Sequence, residues 1–148
     1  MIPVPGKALT DLAIRIATHL VPNTQSTFAQ ADGQLITALL LSMAQDFERA
    51  VYNRMADIDE IKGICHTLST LDEGDLTQLS VLSEAVAFQA KTPASLMLAD
   101  VTALHAEGFE LLIAIHAWAE QYHAELDLEI WRLLRRHSER NKFEIPGP

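Results

Sequence analysis

Four side chains of metal-ligand type stand in register in the C-terminal third of the chain. They are His116, Glu120, His123 and Asp127, spaced four, three and four apart. On one continuous helix this spacing lines them along a single stripe. Imidazole and carboxylate together suit a divalent ion, and a metal here would be iron, manganese or zinc. Apolar residues occupy the same stripe on both sides, with Phe109, Leu112 and Ile113 before it and Ile130, Trp131 and Leu134 after it. A polar cluster in the middle of an apolar face needs partners.

The partners available are on a second stripe, Asn53, Asp57 and Glu60, spaced four and three apart. Two such stripes facing each other would enclose a pocket bounded by Asp57, Glu60, His116, Glu120, His123 and Asp127. His105 lies about three turns before His116 on nearly the same face. Glu120-x-x-His123 has the spacing of the Glu-x-x-His motif that di-iron carboxylate bundles use. Those bundles need two such motifs and two further glutamates, whereas this chain has one motif. His19 and His66 do not complete a hemerythrin-like set either. The stripe has three readings, in descending order of weight: an exposed polar flank, a buried hydrogen-bonded network and a metal site.

Two other patterns match known chemistry in part. Arg132-x4-His137 is similar in spacing to the Arg-x4–6-His element of HEPN-type helical ribonuclease toxins, but Leu133 stands where that element is usually polar. Asp57-x-x-Glu60 and Glu107-x-x-Glu110 resemble half of the magnesium pattern of all-α nucleotide pyrophosphatases, but Met97 occupies a required glutamate position. Neither match identifies a family. The single cysteine, Cys65, lies in the apolar pattern Ile61, Ile64, Cys65, Leu68, which reads as a buried small hydrophobe. No glycine-rich phosphate loop, zinc-finger spacing or nucleophile elbow is present.

The elements that must position these residues are all helical. Apolar spacing of three and four gives a first helix over about Lys7–Leu20, closed by Pro22 and Asn23. Asp32 then reads as the N-cap of a long second pattern. Its stripe is Ile36, Leu40, Met43, Phe47, Val51, Met55, Ile58, Ile61, Cys65 and Leu68, about 33 residues of near-heptad spacing. A turn at Asp72–Asp75, with Asp75 as N-cap, leads to a third helix over about Leu76–Lys91. Thr92-Pro93 reads as an N-cap and first helical residue. The last pattern runs from Ala94 to about Arg140 along Met97, Val101, Leu104, Gly108, Leu111, Ile115, Trp118, Tyr122, Leu126 and Ile130. It is continuous, or it breaks near Gly108 or near Leu126–Asp127. Trp118 and Trp131 read as core or interface anchors.

Composition agrees with that pattern. In 148 residues, 49% are apolar and 21% charged, ordinary globular values. The expected fold is all-α, a single-domain bundle of four to five helices over residues 1–148, with irregular tails at 1–6 and 143–148. The net charge of −9 is concentrated in the middle of the chain, which argues against nucleic-acid binding. The basic cluster Arg132, Arg135, Arg136, Arg140 and Lys142 complements the negative end of a closing helix. No secretory leader or bilayer-length apolar run is seen, so a cytoplasmic protein without a membrane partner is expected. The long second pattern carries more apolar helix surface than a short bundle needs. The expected function is therefore a non-enzymatic interaction module, a homodimer or one with a protein partner. A metal- or small-ligand-binding bundle, enzyme or not, is the alternative.

Overall fold

A computed structural model describes residues 4–71 and 76–144, the side chains of 76–79 apart. The chain is all-α, with five α-helices among the described residues: α1 (Pro5–Arg15), α2 (Thr27–Ser69), α3 (Leu76–Gln89), α4 (Leu98–Tyr122) and α5 (Ala124–Arg140). The second pattern forms one helix of 43 residues, ten longer than its apolar stripe. It begins at Thr27, and Asp32 lies inside it rather than capping it. Ser26 takes the capping place, its Oγ accepting from the Ala29 N–H at 3.4 Å. The turn at Asp72–Asp75, with its expected cap, lies outside the described residues.

The chain forms two compact units, Met1–Ala50 with Lys142–Pro148, and Val51–Asn141. In the first, α1 runs antiparallel to the first half of α2. Gly6 meets Glu48 near one end of the pair, and Gly33 meets Val21 near the other. A Cβ on Gly6 would fall 2.4 Å from Glu48 Oε1, so the Glu48 side chain would have to swing away to admit a larger residue there. After α1 the chain widens into a π-turn at Ile16–Leu20 and tightens into a 3-10 turn at Val21–Asn23. Pro22 has no N–H to continue the helical ladder. The Asn23 side-chain amide and the Thr24 hydroxyl instead donate to the carbonyls of His19 and Leu20.

The second unit is a four-helix bundle of Val51–Ser69 from α2 with α3, α4 and α5. Neighbours along the chain run antiparallel: Phe88 packs at Gly108 between α3 and α4, while His116 meets Trp131 and Phe109 meets His137 between α4 and α5. The buried core is continuous across all four segments: Ile58, Ile61, Cys65 and Leu68; Val81, Ala85 and Phe88; Val101 to Ala119; Leu126, Ile130 and Leu133. The three- and four-residue spacings of the sequence recur in each set, as helical packing requires. Burial lifts the Cys65 thiol to about 11, so it is an inert core residue.

Two further boundaries differ from the sequence expectation. Helix α4 starts at Leu98, capped by the extended Met97, and not at Thr92-Pro93. Ser95 is the reason: its Oγ donates to Asp100 at 2.5 Å and accepts the Met97 N–H at 3.1 Å, which holds 94–97 as a bend. The last pattern breaks at His123, three residues before the spacing slip at Leu126. His123 sits at φ −148°, ψ 83°, and its Nδ1 accepts the Leu126 N–H at 3.1 Å. It thus caps α5, whose acidic first turn, Glu125 and Asp127, suits a helix N-terminus.

Candidate functional site

The second unit holds two carboxylate–histidine clusters, and each could coordinate a metal ion. The first is built across three helices. Asp57 of α2 is fully buried, and its Oδ2 accepts from His105 Nε2 of α4 at 3.0 Å and from His137 Nδ1 of α5 at 2.7 Å. Arg140 holds Oδ1 and also reaches Glu60 Oε1 at 2.6 Å. Arg136 Nε meets Glu60 Oε2 at 3.0 Å. The Phe109 ring packs against both imidazoles, with centroids 4.7 and 4.9 Å away. Asn53 is buried beside this group and donates to the Arg140 carbonyl at 3.0 Å, closing the end of α5.

Burial alone would raise the Asp57 carboxyl. The hydrogen bonds from His105, Arg140 and His137 overcome it and hold the group at about 2. Arg140 is moved upward: burial opposes its charge, but the bonds to Glu60 and Asp57 outweigh that. The result is an ionised, fully engaged carboxylate that ties α2, α4 and α5 together. Two carboxylates meet two guanidinium groups here, so the charges balance.

The second cluster forms at the joint of α4 and α5. His116 Nε2 lies 2.9 Å from Asp127 Oδ1 and 3.8 Å from Glu120 Oε1. His116 and Asp127 are half-buried, and Glu120 is exposed. The edge-on Trp131 ring, 5.3 Å from the imidazole, fixes its orientation. Among the described residues no lysine or arginine pairs with Glu120 or Asp127.

Of the six residues singled out in the sequence, three meet at this joint: His116, Glu120 and Asp127. His123 does not join them, because it is the turn itself, with its ring stacked on Trp118 at 6.3 Å. Asp57 and Glu60 do not face this stripe. They face His105, His137, Arg136 and Arg140 instead. Sequence reasoning placed His105 close to this chemistry but missed His137 and Arg140 as partners. A signal was available: His137 continues the buried spacing Leu126, Ile130, Leu133 on α5.

A different feature dominates the first unit. Among its described residues, the buried apolar side chains are small, Ala13, Ala44 and Ala50. No large apolar residue of the unit is fully buried: Leu9, Ile16, Val21, Leu40 and Leu41 are partly buried, and six on α2 are about half or more exposed, namely Phe28 at 77%, Leu35, Ile36 at 47%, Leu39, Met43 and Phe47. At 100° per residue these six fall within an arc of about 120°. The opposite face of α2, which includes Gly33, Ala44 and Glu48, faces α1. Between the turns that follow α1 and the first half of α2 lies a groove of about 570 Å³ lined by Ala17, Val21, Ala38, Leu41 and, from the tail, Phe143. Gln45 and Glu144 exchange hydrogen bonds that hold the tail there.

No helix among the described residues is long and apolar enough to cross a membrane. No family model, curated protein or solved structure matches this chain.

Proposed function

We propose that this chain is a helical association module that works as a homodimer, joined through the exposed apolar face of the first half of α2. One observation carries the reading. The first unit has two antiparallel helices and no large side chain fully buried among its described residues, while six large apolar residues share one uncovered face. A helix pair with so little buried surface gains too little to offset its ordering entropy. Contiguous apolar surface of this kind marks an interaction site.

The occupant that fits is a second copy. Residues 1–50 carry three basic and four acidic side chains, against a net −9 for the whole chain. Two such units therefore meet with little repulsion, whereas the acidic remainder repels itself. At the exposures observed, the six side chains present roughly 600 Å² per copy, so a symmetric pair would bury roughly 1,200 Å². That is the lower bound of a stable interface, and an isologous arrangement uses it twice. Asp32, between Phe28 and Leu35, and Asp46, beside Phe47, fall within the same arc, so the apolar contact centres on Leu35, Ile36, Leu39 and Met43.

The test is substitution on and off the face. Leu39→Glu and Met43→Glu each bury a charge without a partner and are expected to weaken self-association at least a hundredfold. Leu96→Glu, at a still more exposed leucine in the 94–97 bend, is expected to leave it unchanged. Equal self-association in all three variants would remove the α2 face from the account.

A further inference from the structure

We propose that the joint between α4 and α5 is a divalent transition-metal site, with His116 Nε2, Glu120 and Asp127 as protein ligands and zinc as the best-fitting ion. The inference is independent of the dimer.

The geometry comes first. Bonds of about 2.0–2.2 Å from one zinc ion to imidazole nitrogen and carboxylate oxygen set neighbouring donor atoms roughly 3.0–3.5 Å apart. The separations of 2.9 Å (His116 to Asp127) and 3.8 Å (His116 to Glu120) bracket that span. The three ligating atoms lie within 4.8 Å of one another. An ion would replace the His116–Asp127 hydrogen bond with a spacing only a few tenths of an ångström wider, and Glu120 needs only a side-chain rotation, which its exposure permits.

Charge decides between the two clusters. At Asp57 the positive partner is already present, since Arg140 takes Oδ1 and both imidazoles converge on Oδ2. A dication there would face a guanidinium and displace two hydrogen bonds. At the joint, two carboxylates converge on one imidazole, and among the described residues no cationic side chain pairs with either. A dication would neutralise that pair, which otherwise repels itself.

The supports are also those a metal site needs. Trp131 packs edge-on against the His116 ring and fixes the direction of Nε2. Asp127 lies in the first turn of α5, where the helix dipole favours its ionised, ligating form. Three protein ligands leave coordination positions for water, as in sites that polarise or hydrolyse a bound group. One nitrogen and two oxygens suit zinc and manganese, and of these two the order of divalent affinities puts zinc first.

The experiment is calorimetric titration of the full chain with Zn²⁺ and, separately, Mn²⁺, with the metal retained after gel filtration measured by elemental analysis. One Zn²⁺ per chain is expected, with Mn²⁺ bound at least tenfold more weakly. Asp127→Asn and Glu120→Gln should each weaken Zn²⁺ at least tenfold with an unchanged circular dichroism spectrum. Glu120 is exposed, so the second variant tests the site without disturbing the core. His137→Gln, in the Asp57 cluster, should keep wild-type affinity. Absence of Zn²⁺ binding up to millimolar concentration overturns the proposal. So does binding that survives both carboxylate variants, or binding that His137→Gln abolishes.

Discussion

Replacing Asp57 by asparagine removes one buried charge and keeps the shape, which isolates what that carboxylate contributes. In the folded chain the group is held near 2, against an ordinary value of 3.8. At about 1.4 kcal/mol per pH unit this difference is roughly 2.5 kcal/mol of stability at neutral pH. The substitution also strips Arg140 of one of its two carboxylates. Removing one partner of a buried pair costs about 3–5 kcal/mol, and Arg140 keeps Glu60, so the lower end, about 3 kcal/mol, is expected. In urea, with a slope of 1–3 kcal/mol per molar, the midpoint should fall by roughly 1.5 M. Tryptophan fluorescence is the direct readout, because Trp118 and Trp131 both lie in the unit that contains Asp57. The pH dependence gives a second check. A carboxyl lowered by folding stabilises fully above its unfolded value and loses that contribution as pH falls through its folded value. Wild type and Asp57→Asn should therefore converge between pH 4 and pH 2, at fixed protein concentration. An unchanged midpoint at pH 7, or a deficit as large at pH 2 as at pH 7, would refute the assignment of Asp57 as the anchor of α2, α4 and α5.

Three further predictions concern packing. Gly63 is exposed within α2, and a Cβ there meets nothing within 4 Å, so Gly63→Ala should stabilise by about 0.5–1 kcal/mol and raise the melting temperature. Gly108 differs: a Cβ would lie 2.8 Å from Phe88 Cζ and 3.2 Å from Ile61 Cδ1. Gly108→Val should cost about 1–3 kcal/mol by overpacking, read as a lower melting temperature by calorimetry. Ile115 is 0% exposed in the centre of the bundle, and Ile115→Asp should unfold or aggregate the chain. A soluble Ile115→Asp with the wild-type melting temperature would contradict the core described here.

The helices and most of the bundle core were legible in the sequence because their signal is local. Val101, Leu104, Gly108, Leu111, Ile115 and Trp118 repeat at helical spacing, and all are buried. The stripe along α2 was equally legible, but its two halves have different surroundings. Ile58, Ile61, Cys65 and Leu68 are in the core, whereas Ile36, Met43 and Phe47 are about half exposed. Spacing reports which face is apolar and not what covers it. The break at His123 carries no glycine or proline, so it left no mark beyond the acidic first turn of α5. Once the chain turns there, Asp127 folds back onto His116, eleven residues away, and His123 leaves the stripe. The Asp57 cluster joins residues 48, 80 and 83 positions apart, and a single chain's spacing does not encode such pairings.

Sedimentation equilibrium of the wild-type chain at micromolar concentration decides whether the α2 face pairs two copies. A mass twice the 16.4 kDa of one chain is expected, reverting to one chain in Leu39→Glu. A single-chain mass across the whole micromolar range for the wild type, with the α2 face intact, would contradict it.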